Sequence, residues 1–454
     1  MPPQAVLDGV VTLHVFEGVL ERDGVELANP GERVRDRVIE AILEENLATG
    51  EVIRRGEFER AILLIDDLPG VTSHSIIYPG TEPGEARLLL RAEDTPSVTG
   101  NVDFDNFGSH YTGEGRLGTT VYFNSPTRRG DQITLRAVTS GSDSNYLFLD
   151  YSVPVTGSGL RIGLNADYLD YELGKQYRRL EYGGDAASAR LFASYPFVRS
   201  RHINLNGRLE YAYLTMKDED NSGYLEAERR LNTMTASIDG DHDADAWANG
   251  ISYFGAGVTA GSVDVRGGDV FKAFDSENLG TDGSFARANI EISRLQHIGA
   301  NWSAYGGLAG QWASGNLDSS QKFYIGGPFS VPGYPTGEAS GDHGAHLHVD
   351  LRHDFLNTPW GGDFQASVFY TTGWVRLFED TWEGWQGDNP IIENDITLSS
   401  WGFSLSQTWE SGLIVRASVG RQLGSNEGRD PLTGNASDDS DSDYRAWIQT
   451  INYF

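Results

Sequence analysis

Two regimes of hydrophobic patterning meet near residue 97. Upstream, Val34, Val38, Ile39, Ile42, Leu43 and Leu47 recur at helical spacing until Gly50 stops the run. A second run, Phe58, Ala61, Ile62, Leu64, Ile65 and Leu68, ends at Pro69-Gly70. Val11 to Val15 alternates as a strand before these helices, and Thr72 to Tyr78 with Ala86 to Ala92 reads as a hairpin after them. The order β-α-α-β-β predicts a small α+β domain.

Downstream of 97 the period changes to two, and no helix is predicted for the rest of the chain. Leu160, Ile162, Leu164, Ala166 and Tyr168 interleave with Arg161, Gly163, Asn165 and Asp167. Ala345, Leu347, Val349 and Leu351 interleave with His346, His348, Asp350 and Arg352. Similar alternation runs through 146–153 and 413–420. Period two places the two sets on opposite faces of a sheet. Sixteen such segments follow one another: 98–107, 113–124, 130–141, 144–155, 158–172, 184–197, 200–216, 228–240, 248–264, 282–297, 300–313, 342–356, 362–377, 394–410, 412–422 and 443–454. Most exceed the 5–6 residues usual in soluble sandwiches, about the span that a bilayer demands of a tilted strand. Backbone groups in lipid must all be paired, so the sheet must close. The fold class predicted is mainly β: a 16-stranded antiparallel transmembrane barrel over 97–454, behind an α+β domain at 18–96. An even strand number returns both ends of the barrel to the same side.

Composition sharpens this. Across 454 residues there is no Cys, so disulfides, thiol nucleophiles and Cys-ligated metals are excluded. The formal charge is 35 − 65 = −30, which argues against a nucleic-acid partner. The acid gathers at Asp218-Glu219-Asp220, Asp239 to Asp245 and Asp438 to Asp443, among Gly, Ser and Asn, as solvated loops do. No apolar run reaches the length of a membrane helix. Met1 to Val6 has neither a basic region nor an apolar core, so no signal peptide is read there.

Several chemical signals lose their context here. Gly113-Glu114-Gly115-Arg116-Leu117-Gly118 matches the dinucleotide fingerprint, but it opens a strand and lacks the helix N-terminus that pyrophosphate needs. His346, His348 and Asp350 share one face of one strand, where neighbours about 6.5–7 Å apart suit a polar wall better than one ion. No nucleophile-elbow or metalloprotease motif occurs, so no catalytic residue and no metal is assigned.

The quoted residues also carry a family resemblance. Asp8 to Gly18 resembles the close of a first POTRA domain in two-partner secretion transporters, and Phe58 to Val71 the second helix and turn of their second. Asp105-Asn106-Phe107-Gly108-Ser109 with Tyr111-Thr112-Gly113 resembles their first barrel strand and its turn. Gly130-Asp131 opens the third strand in the same manner. Phe323 to Tyr334, then Gly341-Asp342 and Asp350-Leu351-Arg352, resembles their long inward-folded loop and the strand after it. The resemblance implies residues 1–17 as the remnant of a first POTRA domain, 18–96 as a POTRA domain in the periplasm, and an outer-membrane barrel with an inward loop at about 314–341. An N-terminally truncated, monomeric chain is expected. It would pass an unfolded secreted partner carrying an N-terminal secretion domain, of adhesin, haemolysin or contact-dependent toxin type, without nucleotide, metal or other cofactor.

The resemblance also implies a loop-tip motif at Val331, Pro332, Gly333 and Tyr334, anchored by wall residues Phe369, Thr371, Gly373, Asp350 and Arg352. Partner recognition falls to Arg54, Arg55, Phe58 and Arg60, beside a sheet edge open to strand addition. Two positions depart from the family pattern: Pro332 stands where an Arg is usual, and Thr371 where an Asp is usual. Both halves of an ion pair are missing together, so neither charge is left uncompensated. A barrel-assembly factor and a small-solute porin are the competing functions. A porin usually has no POTRA module, and an assembly factor has more of them.

Overall fold

The computed structural model describes residues 18–141, 143–220, 226–244, 249–387, 392–430 and 433–454. The Val11–Val15 strand and the whole 1–17 remnant lie outside them. The chain divides into two compact units, and each is described by itself.

The first unit holds residues up to Ser97, together with Ser125–Asp131 and Pro154–Gly159. It contains β1 (Val19–Ala28), α1 (Asp36–Asn46), α2 (Arg55–Asp66), β2 (Val71–Pro79) and β3 (Glu85–Asp94). The strand missed in the sequence is β1, whose polar run Glu21-Arg22-Asp23-Gly24 hides the period. The strands form a three-stranded sheet in the order β1-β3-β2, with β1 parallel and β2 antiparallel to β3. The helical stripe read from the sequence is its core: Val34, Ile39, Ile42, Leu43, Ala61, Leu64 and Ile65 pack with Leu20, Leu88 and Leu90. The strand β2 is an edge, with Ile76 and Ile77 exposed along it.

The second unit is a closed antiparallel barrel of sixteen strands. In chain order these are β4 (Val98–Asp105), β5 (Arg116–Asn124), β6 (Gln132–Thr139), β7 (Ser144–Pro154), β8 (Arg161–Glu172), β9 (Gly183–Arg199), β10 (Ile203–Glu219), β11 (Glu226–Ala244), β12 (Gly250–Gly267), β13 (Gly283–His297) and β14 (Trp302–Ala313). Two short strands follow, β15 (Phe323–Ile325) and β16 (Ala339–Gly341), which pair only with each other. The wall resumes with β17 (His343–Phe355), β18 (Asp363–Arg376), β19 (Asp395–Thr408), β20 (Leu413–Leu423) and β21 (Tyr444–Tyr453). Every wall strand falls on a segment read from the alternation. The expectation of no helix beyond 98 is corrected: α3 (Asp269–Phe274) and a 3-10 turn at Lys175–Leu180 sit in connections. α3 buries none of its residues, so no apolar face announces it.

One face of the wall is apolar and exposed: Val102, Phe104, Leu117, Leu147, Leu149, Ile162, Leu164, Leu191, Leu209, Ile290, Leu347, Val349, Phe403 and Val419 all lie on it. The other face carries charged pairs such as Asp105–Arg116 (2.8 Å) and Asp103–Arg136 (3.3 Å). That is the outward-apolar, inward-polar order of a barrel in lipid. Ladder length is uneven. β11 pairs with β12 along Ala227–Ala244, whereas the closing seam pairs β4 with β21 only along Asn101–Asp105 and Gln449–Tyr453.

Candidate functional site

The connection between β14 and β17 turns into the barrel. Its hairpin, β15 with β16, carries a tip that packs on polar-face residues of β17 to β21, while those strands show Leu347, Phe403 and Val419 on the opposite face. Ile325, Val331 and Tyr334 of the loop are fully buried against Val375 of β18 and Ile396 and Leu398 of β19. Six of its apolar residues precede Pro335, and this is where they go, with two exceptions: Tyr324 is 51% exposed and Phe329 79%.

The seat of the tip is built from small wall residues. A Cβ at Gly373 would stand 2.9 Å from Ile325 Cγ2 and 3.2 Å from Val331 Cγ2, so only glycine leaves room there. A Cβ at Gly333 would stand 2.8 Å from Ser400 Cβ. Beneath lies Thr371, fully buried, its hydroxyl 3.0 Å from that of Ser400. Three wall side chains then donate to loop carbonyls: His346 Nε2 to Ser330 O (2.8 Å), Trp447 Nε1 to Pro332 O (2.8 Å) and Gln422 Nε2 to Gly333 O (3.1 Å). Because the acceptor is a carbonyl, the Nε2 of His346 must carry the proton. The tip is therefore held through its backbone by neutral donors, which together can contribute about 0.5–1.5 kcal/mol each.

At the neck the holding groups are charged. Lys322 Nζ lies 2.7 Å from Asp342 Oδ1, with the carboxylate fully buried. Asp342 also accepts from Leu317 N (3.0 Å) and Glu379 N (2.9 Å). Glu338 accepts from Ser437 N (3.0 Å) and Ser437 Oγ (2.6 Å), and its other oxygen from Asn426 Nδ2, tying the loop to the connection between β20 and β21. In that connection Asp438 pairs with Arg445. Burial alone would push the Asp438 carboxyl up, but the Arg445 hydrogen bonds and charge outweigh it and hold the carboxyl below its ordinary range.

The residues assigned from the sequence divide into two sets. Val331, Pro332, Gly333, Tyr334, Thr371 and Gly373 converge on one seat. Phe369 lies beside it, stacked on His348 at 6.0 Å. His348 bonds Asp350 (2.8 Å), which in turn holds Arg352 Nη2 (2.8 Å), whose guanidinium lies 4.8 Å from the Tyr305 ring. The set in the α+β unit does not form one cluster. Arg54 pairs with Glu57 (2.9 Å), Arg55 with Glu59 (3.7 Å), Phe58 packs on the core, and Arg60 Nη2 donates to Ser158 O (2.8 Å) within the same unit. Sequence reasoning missed His346, Gln422 and Trp447 as tip donors, and Lys322, Glu338 and Asp342 at the neck. The tip donor Trp447 is 115 positions from its acceptor, a separation no spacing rule reaches.

A closed lipid-facing barrel with a loop seated in its lumen, preceded in the chain by a small α+β unit, defines an outer-membrane transporter barrel. Residues 84–386 match the profile of the haemolysin secretion/activation protein family ShlB/FhaC/HecB, and the chain belongs to that family. It is 26% identical over 427 residues to the heme/hemopexin transporter protein HuxB of Haemophilus influenzae, covering 94% of this chain and 74% of that protein. It is 24% identical over 389 residues to the outer membrane transporter CdiB of Dickeya dadantii, covering 80% of this chain and 64% of that one. Its fold matches the solved CdiB of Escherichia coli with a TM-score of 0.76 at 18% identity, over 97% of this chain and 77% of that chain. BamA of Haemophilus ducreyi is more distant in fold, with a TM-score of 0.59 at 13% identity, over 96% and 85% of the two chains. The chain is a transporter of the two-partner secretion type, and the porin and assembly-factor readings are not favoured.

Proposed function

We propose that the barrel passes one unfolded secreted protein, recognised through its N-terminal secretion domain, and that the loop Phe323–Gly341 closes the lumen between passages. The observation that carries this reading is the loop itself: an apolar hairpin buried on the inner wall of a barrel whose inner face also carries charged pairs such as Asp103–Arg136. Val331, Pro332, Gly333 and Tyr334 form the plug, and Phe369, Thr371, Gly373, Asp350 and Arg352 the wall that receives it. A plug held by neutral bonds to its backbone is released without exposing an unpaired charge.

The α+β unit faces the periplasm and takes the partner by strand addition along β2, the sheet edge that follows α2. Main-chain bonds supply that affinity, and Arg54 and Arg55 at the start of α2 modulate it. Transport by a monomer needs no cofactor in this scheme. Deleting 31–92 is expected to abolish export of a co-expressed partner while leaving a folded, heat-modifiable barrel. Export at the normal rate would end the recognition role.

A further inference from the structure

We propose that the tip of the inward loop is also a staple across the β4–β21 seam, with Asn106 and Trp447 as its positioning residues. The seam ladder stops at Asp105 and Gln449, yet β21 continues to Tyr444. Beyond it one backbone bond crosses the seam, Asn106 N to Ile448 O (3.3 Å), and side chains take over for the rest of Tyr444 to Ile448. The Asn106 carboxamide acts as a substitute peptide group: its Oδ1 accepts from Ile448 N (2.8 Å) and its Nδ2 donates to Ala446 O (2.9 Å).

The loop then bridges the two sides at that level. On the β21 side, Trp447 Nε1 donates to Pro332 O (2.8 Å). On the β4 side, Thr336 Oγ1 donates to Phe107 O (3.0 Å). The Phe107 ring is wedged between them, edge-on to Phe329 at 5.3 Å and to Trp447 at 6.0 Å. Loop and seam thus share one cluster, so unseating the loop removes the only cross-seam bonds that do not come from Asn106 at this level among the described residues. His346 holds the same tip from β17, a strand that touches neither side of the seam. The inference rests on barrel closure and not on what crosses the barrel.

Trp447→Phe keeps a ring and removes the donor; Thr336→Val keeps the shape and removes the hydroxyl. Each variant of the full chain is expected to raise loop openings in single-channel records about fivefold, the factor for one neutral hydrogen bond. Each should also lower the temperature of the heat-modifiable transition, with the pair non-additive. His346→Phe should raise openings similarly and leave the transition unmoved. The staple is overturned if both seam variants leave the transition unmoved, or if His346→Phe lowers it equally. Should Trp447→Phe not fold, the near-isosteric Thr336→Val decides alone.

Discussion

At position 371 a hydroxyl lies fully buried beneath the loop, 3.0 Å from the Ser400 hydroxyl and opposite His348 in the β17–β18 ladder. A carboxylate there would lack a charged partner. Thr371→Asp alone is expected to destabilise the folded barrel by about 3 kcal/mol or more, read as a fall in the heat-modifiable transition. Pro332→Arg alone places an unpaired guanidinium in the seat and should not tighten the loop. The two together should recover stability beyond the sum of the singles; strict additivity would mean that positions 332 and 371 do not meet. Residue-scale logic on the outer face is simpler. Ile162 is exposed toward lipid and Asn165 is buried on the inner face. Ile162→Arg should cost about 2–4 kcal/mol near mid-bilayer, and Asn165→Ala far less. Urea titration of both variants in vesicles separates them, and equal costs would reverse the assignment of faces.

Elements show why the sequence was readable in some places and silent in others. The bilayer imposes period two on every wall strand, so β8 could be found from Leu160 to Tyr168 alone. β15 and β16 are three residues each, too short to show a period, and they exist because the loop folds back on itself. Tyr334 and Val331 were recognisable as apolar residues with no business in an exposed loop. The donors that hold them were not, because His346 and Gln422 look like any other polar lumen residue until the register is known. The connection between β20 and β21 adds a pH response. The Asp438 carboxyl is held below its ordinary value of 3.8, so its contribution is fully present above that value. It is lost as pH falls further, through the depressed value in the folded state. Loop openings should therefore increase as pH drops below about 3.8, and Asp438→Asn should show the frequent openings already at neutral pH with less change on acidification. An unchanged acid response in Asp438→Asn would assign it to other carboxylates.

For the molecule as a whole, the charge imbalance has a further side: nearly all its cations are arginines. The lysines are Lys175, Lys217, Lys272 and Lys322, all at the end of the barrel away from Val98 and Phe454, and the α+β unit has none. Lys175 and Lys272 are exposed and Lys217 partly so, while Lys322 is sealed against Asp342 at the neck of the loop. The chain thus carries its own footprinting label for the state of the pore. A membrane-impermeant, amine-reactive reagent applied to intact cells should acylate Lys175, Lys217 and Lys272 promptly and Lys322 slowly, as peptide mass spectrometry would read. If the loop leaves the lumen whole, neck included, Lys322 becomes reactive while a partner is crossing. If only the tip swings, it stays silent, and a single lysine distinguishes a plug that is withdrawn from one that merely folds aside.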